Sequence, residues 1–212
     1  MNLKIKIAGI GGQGVQFFGK LLGEAAFKQG LNVSQGVIYE PSTTGGLTVA
    51  DITLAHADEE IIFPYIEEPN ILIVFAQRCW DDYKHLVTEN TILLVDQSNV
   101  QDFNPNESRL SLHLPFSKIA LDIGSESVMN VVALGFISEM LDISDNHVHT
   151  ILKNLSPEDA MVLELLEVAP ENFEESLIKS SPKKFQEMNL KAFKMGYNLS
   201  LKEDYSKSEV LN

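Results

Sequence analysis

The stretch GIGGQG (residues 9–14) follows the segment LKIKIA and precedes VQFFGKLLGEAAFKQG. Before it, Leu3, Ile5 and Ile7 alternate with polar residues, which is the period of a β-strand. After it, apolar residues recur at helical spacing as far as Gly30, where a helix-ending glycine is expected. The stretch therefore predicts a tight turn from a strand into a helix, which is the first unit of an α/β sheet.

The glycines of this turn have the spacing Gly9-x-Gly11-x-x-Gly14, which is typical of dinucleotide-binding loops. Such a loop brings backbone N–H groups and the positive end of a helix to a phosphate. The acidic residue that binds a ribose is expected about 20 residues later, whereas Glu40 lies 26 residues after Gly14. NAD or FAD binding is therefore disfavoured, and two interpretations remain open: a turn with no ligand, and an anion-binding site.

The segments that follow predict further strands. Residues 31–40 form a predicted strand that ends before the turn-rich PSTTGG, and LTVADITLA (residues 47–55) forms the next. The alternation in the latter predicts a half-buried strand, with Asp51 and Thr53 on the face away from the core. The continuous apolar runs at 70–76 and 91–96 instead indicate strands buried on both faces, as in a parallel sheet.

This order of strands and helical segments predicts a doubly wound, mostly parallel, Rossmann-like α/β sheet with a helical C-terminal part. The apolar segment 126–142 is a predicted helix that covers the sheet, and helices are expected after it, with breaks at Pro157, Pro170 and Pro182. We expect one domain over residues 1–212. Its α/β core is expected at 1–145 and its helical part at 146–212.

Composition narrows the class of function. Hydrophobic residues make up 44% and charged residues 22% of the 212 residues, which is ordinary for a folded domain. The net charge of −14 disfavours nucleic acid and favours a basic protein partner. Cys79 is the only cysteine, so the chain alone ligates no Cys-bound iron–sulfur cluster. No run reaches the roughly 18 apolar residues of a membrane span, and we expect a cytoplasmic protein without membrane contact.

Other candidate sites are weak. His147 and His149 flank a valine, but no neighbouring carboxylate or cysteine completes a metal site, so they are interpreted as solvated. Cys79 lacks the basic surroundings of a reactive thiol and is interpreted as a partly buried side chain. The acidic pairs at 59–60 and 67–68, which flank a short apolar run, are interpreted as solvated surface. No catalytic residue is expected on this chain.

Three segments together resemble the gamma subunit, or gamma domain, of 2-oxoacid:ferredoxin (acceptor) oxidoreductases, which act on pyruvate, 2-oxoglutarate, 2-oxoisovalerate or indolepyruvate. The first is GIGGQG with its helix and the turn ending in Gly45-Gly46, since G-x-G-G-Q-G is more specific than the three glycines alone. The others are MNVVALG (residues 129–135), which looks like the family's N-x-x-A-L-G helix, and NLKAFKMGY (residues 189–197), which looks like its N-x-x-A-F-x-x-G-Y ending. One departure is Thr44, which stands where family members often carry an arginine.

The resemblance implies a subunit of an enzyme whose other chains hold the cofactors. In such complexes a 2-oxoacid is decarboxylated on thiamine diphosphate, electrons leave through iron–sulfur clusters to ferredoxin, and coenzyme A takes the acyl group. Thiamine diphosphate and the clusters are expected on alpha and beta subunits or on a ferredoxin-like delta subunit, and the isolated chain could form a homodimer. The residues expected to contact a phosphate of coenzyme A, or a partner's carboxylate, are Gly9, Gly11, Gly12, Gln13, Gly14, Thr43, Thr44, Gly45 and Gly46.

Two alternatives from other classes remain open at the level of sequence. The first is a stand-alone NAD(P)- or FAD-dependent oxidoreductase, for which the isolated chain would have to bind a nucleotide. The second is a non-enzymatic regulatory or scaffold module with the same fold. Copurification of a thiamine-binding partner would favour the oxidoreductase subunit over both.

Overall fold

The computed structural model describes residues 2–40, 45–103, 108, 110–142 and 166–199. The strands of the described residues are β1 (Asn2–Ile10), β2 (Asn32–Tyr39), β3 (Leu47–Ala55), β4 (Ile71–Val74), β5 (Ile92–Asp96) and β6 (Leu110–Leu114). The helices are α1 (Val15–Lys28), α2 (Gln77–Tyr83), α3 (Phe116–Ile123), α4 (Met129–Leu141), α5 (Pro170–Ser180) and α6 (Lys183–Tyr197). Short 3₁₀ turns follow α2 at Lys84–Leu86 and precede α4 at Glu126–Val128.

The six strands form one sheet in the order β2-β3-β1-β4-β5-β6. Strands β1, β4, β5 and β6 are parallel neighbours, while β3 is antiparallel to both β1 and β2. Strand β2 therefore runs in the direction of β1, and β3 alone runs against the other five. The predicted mostly parallel α/β sheet is confirmed.

Helices cover the two faces of the sheet unequally. Successive side chains of a strand point to opposite faces, and those of β1 divide accordingly. Ile5 and Ile7 belong to the apolar cluster that contains residues of α1, α3, α4, α5 and α6, whereas Ala8 belongs to the cluster that contains residues of α2. From β1 the chain passes through α1 to β2, at one edge of the sheet. From β4 it passes through α2 to β5, toward the opposite edge. The carboxyl ends of β1 and β4 thus form the topological switch point, where open α/β sheets hold ligands.

Strand β3 departs from the prediction. All nine of its residues are buried, so the expected half-buried strand is wrong. Asp51 is 1% exposed and its carboxylate lies 2.6 Å from the Nζ atom of Lys6, its directly opposite partner on β1. Asp51 and Thr53 lie on one face of β3, as expected, but this face is closed off from water. Asp51 pairs with Lys6 and accepts a hydrogen bond from Ile66 N in the segment that follows the strand.

Helix α4 is the central helix of the thicker layer. Each of its residues is buried, which confirms the predicted sheet-covering helix. It packs against α6, α3 and α1. Pro170 begins α5 and Pro182 precedes α6, as predicted, while Pro157 lies outside the described residues. Among the helices that the structure describes, none is both long and apolar enough to cross a membrane.

Candidate functional site

The GIGGQG loop lies at the carboxyl end of β1 and leads directly into α1. Gly12 has φ = +94° and its missing side chain would meet no atom within 4 Å, so backbone conformation alone requires glycine there. Gly11 and Gly12 are both exposed. The first turn of α1 contains no acidic residue, and the N–H groups of a first helical turn have no partner within the helix. The loop therefore offers an exposed, electropositive stretch of backbone.

Gln13 has a structural role that the glycine pattern does not predict. Its Oε1 atom accepts a hydrogen bond of 2.8 Å from Ile10 N, and its Nε2 atom donates one of 3.0 Å to Phe75 O. Ile10 ends β1 and Phe75 follows β4, so the side chain bridges the two strands at the switch point. A dinucleotide that entered between these strand ends would have to displace this bridge.

Gly9 and Gly14 are explained by close packing inside the protein. A Cβ atom on Gly9 would lie 2.7 Å from Cγ2 of Val15. One on Gly14 would lie 2.3 Å from Nδ2 of Asn130, which donates a hydrogen bond of 3.1 Å to Gly14 O. Asn130 thus ties α4 to the start of α1. Its Oδ1 atom is buried and has no hydrogen-bond partner among the described residues.

The structure brings the glycine loop next to the turn before β3. Gly11 N donates a hydrogen bond of 2.9 Å to Gly46 O, and a Cβ atom on Gly11 would lie 3.4 Å from Cα of Gly45. Gly11, Gly45 and Gly46 are therefore neighbours, as expected of a loop and a facing turn. Thr43 and Thr44 lie outside the described residues.

Glu40, the residue considered for a ribose, binds a protein group instead. Its Oε2 atom lies 2.5 Å from Nη2 of Arg78 and 3.4 Å from the N–H of Leu47. Arg78 is in the first turn of α2, which follows β4, so the ion pair lies beside the same sheet edge as the loop. Both side chains are about half exposed, and exposed ion pairs of this kind contribute little to stability. A charged ligand could therefore rearrange the pair at small cost.

Cys79 lies on α2 and is fully buried in the apolar cluster beneath that helix. The thiol is therefore more buried than the partly buried side chain predicted from sequence. Burial, with a smaller contribution from the Asp82 carboxylate, raises the pKa of Cys79 from an ordinary 9.0 to about 12. His147 and His149 lie outside the described residues. No group of three or more His, Cys, Asp or Glu side chains suited to a metal ion occurs within the described ranges.

We expect the Cys79 thiol to be unreactive in the folded chain. Because the thiolate is the nucleophile, a pKa of about 12 lowers its population at pH 8 by about a thousandfold relative to a pKa of 9.0. Labelling with a disulfide reagent should therefore be slow in buffer and fast in guanidinium chloride. Since the folded-state pKa lies above the unfolded value, this thiol should also lower stability as pH rises above 9.0. Rapid labelling of the folded chain would contradict the burial.

Two features of this site could not be read from a local motif. The contact of Gln13 with Phe75 and that of Asn130 with Gly14 join residues 62 and 116 positions apart. The sequence contains only an indirect signal of these two contacts. Gln13 and Asn130 are the polar residues fixed in two of the motifs that resemble a known family. Their shared function is to hold the loop against the sheet and against α4.

Comparison with known proteins finds similarity along most of the chain. A family profile described as "Pyruvate ferredoxin/flavodoxin oxidoreductase" matches residues 4–165. The chain is 29% identical over 203 residues to the protein named "2-oxoglutarate synthase subunit KorC" of Methanocaldococcus jannaschii. That similarity covers 94% of this chain and 95% of the archaeal subunit.

Solved structures show the same fold. The gamma subunit of a keto/oxoacid ferredoxin oxidoreductase from Geobacter sulfurreducens has a TM-score of 0.71 and 25% identity, over 98% of this chain and 99% of that one. A 2-oxoglutarate:ferredoxin oxidoreductase from Magnetococcus marinus, solved with 2-oxoglutarate, coenzyme A and succinyl-CoA, has a TM-score of 0.70 and 20% identity. In that case the similarity covers 92% of this chain but only 30% of the longer one.

Proposed function

The chain belongs to the pyruvate ferredoxin/flavodoxin oxidoreductase family as a gamma subunit of a 2-oxoacid:ferredoxin oxidoreductase, and we propose on that basis that its glycine loop positions coenzyme A. The complex would convert a 2-oxoacid and coenzyme A to acyl-CoA, carbon dioxide and a proton, and the two electrons released would reduce ferredoxin. In this proposal the chain performs no bond making itself. It holds one substrate while partner subunits carry out the redox chemistry.

The observation that carries the proposal is the exposed backbone at Gly12, just before α1, where the neighbouring Gly11 N–H is held by Gly46 O. Coenzyme A contains phosphate groups, and the N–H groups at a helix N-terminus bind phosphate oxygens. Gly12 leaves open space where a side chain would lie, so a ligand can approach the main chain directly. The neighbouring Gly45 and Gly46 would form the opposite wall. Contact of Thr43 and Thr44 with the ligand stays a prediction from sequence.

The site supports coenzyme A better than a dinucleotide. Gln13 bridges the strand ends at the switch point, so the crevice is not open as it is in a dinucleotide-binding unit. The loop nevertheless remains accessible from outside. We therefore propose that the ligand lies over the loop, where Arg78 could exchange Glu40 for a phosphate.

The remaining cofactors are assigned to other chains of the complex. Cys79 is buried among apolar side chains, so it fits neither cluster ligation nor thiol chemistry. We propose that thiamine diphosphate and the iron–sulfur clusters lie on alpha and beta subunits or on a ferredoxin-like delta subunit. A complex of this kind would be cytoplasmic, as expected from the single unpaired thiol.

Replacing Gly12 by leucine in the assembled complex should raise the KM for coenzyme A by about tenfold or more, because each charge-assisted hydrogen bond to the phosphate contributes roughly 1.5–3 kcal/mol. The KM for the 2-oxoacid should not change. Steady-state kinetics with each substrate varied in turn would measure both. An unchanged KM for coenzyme A in an intact complex would contradict the ligand role and leave the scaffold alternative.

The matched control is Gly30→Leu. Gly30 has φ = +95°, nearly the φ of Gly12, and its side-chain position is equally open, so the two substitutions impose the same backbone strain. Gly30 lies at the opposite end of α1 from the loop. An increase in KM that both variants share would reflect strain, whereas an increase confined to Gly12→Leu would reflect the site.

A further inference from the structure

A separate gamma subunit needs a surface that binds its partner. In the Magnetococcus chain the same fold occupies 30% of a longer polypeptide, so covalent continuity keeps it in place there. The 2-oxoglutarate synthase subunit KorC of Methanocaldococcus jannaschii is matched over 95% of its length, so this fold forms a separate subunit there. A separate subunit is retained by non-covalent contacts, which in protein interfaces centre on exposed apolar side chains.

The segment between β3 and β4 exposes such side chains. Ile62 is 89% exposed, Phe63 62% and Tyr65 47%, and these three residues are named the apolar ridge here. The rings of Phe63 and Tyr65 pack edge to face with centroids 5.6 Å apart. A cluster of large apolar side chains on the surface of a folded protein marks an interaction site more often than isolated exposed residues do.

The backbone behind the apolar ridge is held firmly to the sheet. Ile66 N donates a hydrogen bond of 2.9 Å to Oδ2 of the buried Asp51. A Cβ atom on Gly36 of β2 would lie 2.9 Å from Pro64 O, so glycine allows the segment to approach that strand closely. Asn32 donates to the carbonyl groups of Ala57 and Glu59. The ridge is thus preordered, which lowers the entropy lost on binding.

The rim of the ridge is acidic and identifies the chemistry of the partner. A groove of about 570 Å³ lies between the segment and the open part of the sheet, and its lining includes Lys4, Glu60, Glu67 and Glu68. The chain as a whole carries a net charge of −14, so a second copy would bring like charges together. A basic surface on a different subunit complements this rim.

We propose that the apolar ridge docks into an apolar pocket rimmed by Lys or Arg on a larger subunit of the same oxidoreductase complex. The three ridge side chains fill the pocket, and Glu60, Glu67 and Glu68 pair with the basic rim. In this proposal Glu60, Glu67 and Glu68, which are interpreted from sequence as solvated surface, form an interface rim. Of the functional conclusions above, the proposal depends only on family membership. It does not require that the glycine loop bind coenzyme A.

The test uses the full chain titrated onto the complex purified without it. The variant Ile62→Ser/Phe63→Ser should bind the larger subunits at least about tenfold more weakly, because truncated anchors of an interface commonly cost that much. The control Phe27→Ser/Leu121→Ser removes two side chains that are 73% and 60% exposed on α1 and α3, and it should bind like the wild type. Equal melting temperatures of the isolated chains would show that both variants fold.

A second arm tests the rim. Glu67→Lys/Glu68→Lys should weaken binding at low salt and reduce its dependence on salt, since exposed charge pairs are screened. Wild-type affinity in both the ridge and the rim variants would overturn the proposal. It would also be overturned if the wild-type chain dimerised through the ridge while ridge substitution left binding to the larger subunits intact, because a second copy would then be the occupant.

Discussion

Replacing Gly196 by alanine should lower the free energy of unfolding by about 3 kcal/mol, at the upper end of the usual cost of overpacking. A Cβ atom at this position of α6 would lie 1.9 Å from the carbonyl oxygen of Val132 on α4. Gly135 of α4 is the reciprocal case, because its Cβ atom would lie 2.1 Å from Phe193 O. Main-chain atoms cannot move aside as a flexible side chain can, so the two helices would have to separate.

Thermal unfolding of the isolated chain provides the measurement. For a chain of this length, 3 kcal/mol corresponds to a decrease in Tm of about 6–12 °C. The matched control is Gly23→Ala on α1, whose Cβ atom would meet only the Val33 side chain, at 3.3 Å. That change should be neutral or slightly stabilising, because alanine has the higher helix propensity. A wild-type Tm for Gly196→Ala would contradict the close crossing of α4 and α6.

This crossing gives a physical reason for two of the segments that carried the family resemblance. MNVVALG contains Gly135, and NLKAFKMGY contains Phe193 and Gly196, so the two motifs contact each other. Their glycines let the helices approach, and Asn130 joins the same layer to the loop at Gly14. The family assignment predicted from these segments is confirmed by the comparisons.

The parts of the fold that follow from local pattern were predictable. Alternation in β1, the glycine turn and the spacing of apolar residues in α1 specify a strand, a turn and a helix without reference to the rest of the chain. The continuous apolar runs of β4 and β5 likewise indicate burial on both faces. The burial of β3 was not predictable, because it depends on the segment that follows the strand and on Lys6 lying directly opposite Asp51.

The candidate site was predictable in its position and not in its internal contacts. A strand-to-helix glycine turn lies at the carboxyl edge of the sheet wherever it occurs in such folds, and Gly11 does contact Gly46. Sequence alone could not separate packing from ligand binding at each glycine. The structure assigns Gly9, Gln13 and Gly14 to internal contacts, holds the N–H of the exposed Gly11 on Gly46 O, and leaves Gly12 as exposed backbone. The ligand hypothesis therefore now concerns fewer residues.

Lys6→Met should destabilise the chain by about 3–5 kcal/mol, the cost of removing one partner from a buried ion pair. The Lys6 and Asp51 side chains are 3% and 2% exposed, and Nζ and Oδ1 lie 2.6 Å apart. Without the ammonium group, Asp51 keeps its hydrogen bond from Ile66 N but no countercharge. A carboxylate buried in this way is strongly disfavoured, so unfolding in urea should occur at a lower midpoint.

Two further variants separate the charge from the packing. Lys28→Met removes a lysine whose partner Glu175 is 70% exposed, so it should cost no more than about 1 kcal/mol. Lys6→Met/Asp51→Leu buries no charge and should recover part of the lost stability, although Ile66 N then lacks its acceptor, which costs roughly 1–3 kcal/mol. That unsatisfied group lies directly behind the apolar ridge. The double variant should therefore fold more stably than Lys6→Met and still bind the larger subunits less tightly than the wild type. If the double variant is no more stable than Lys6→Met, buried charge is not the source of the lost stability.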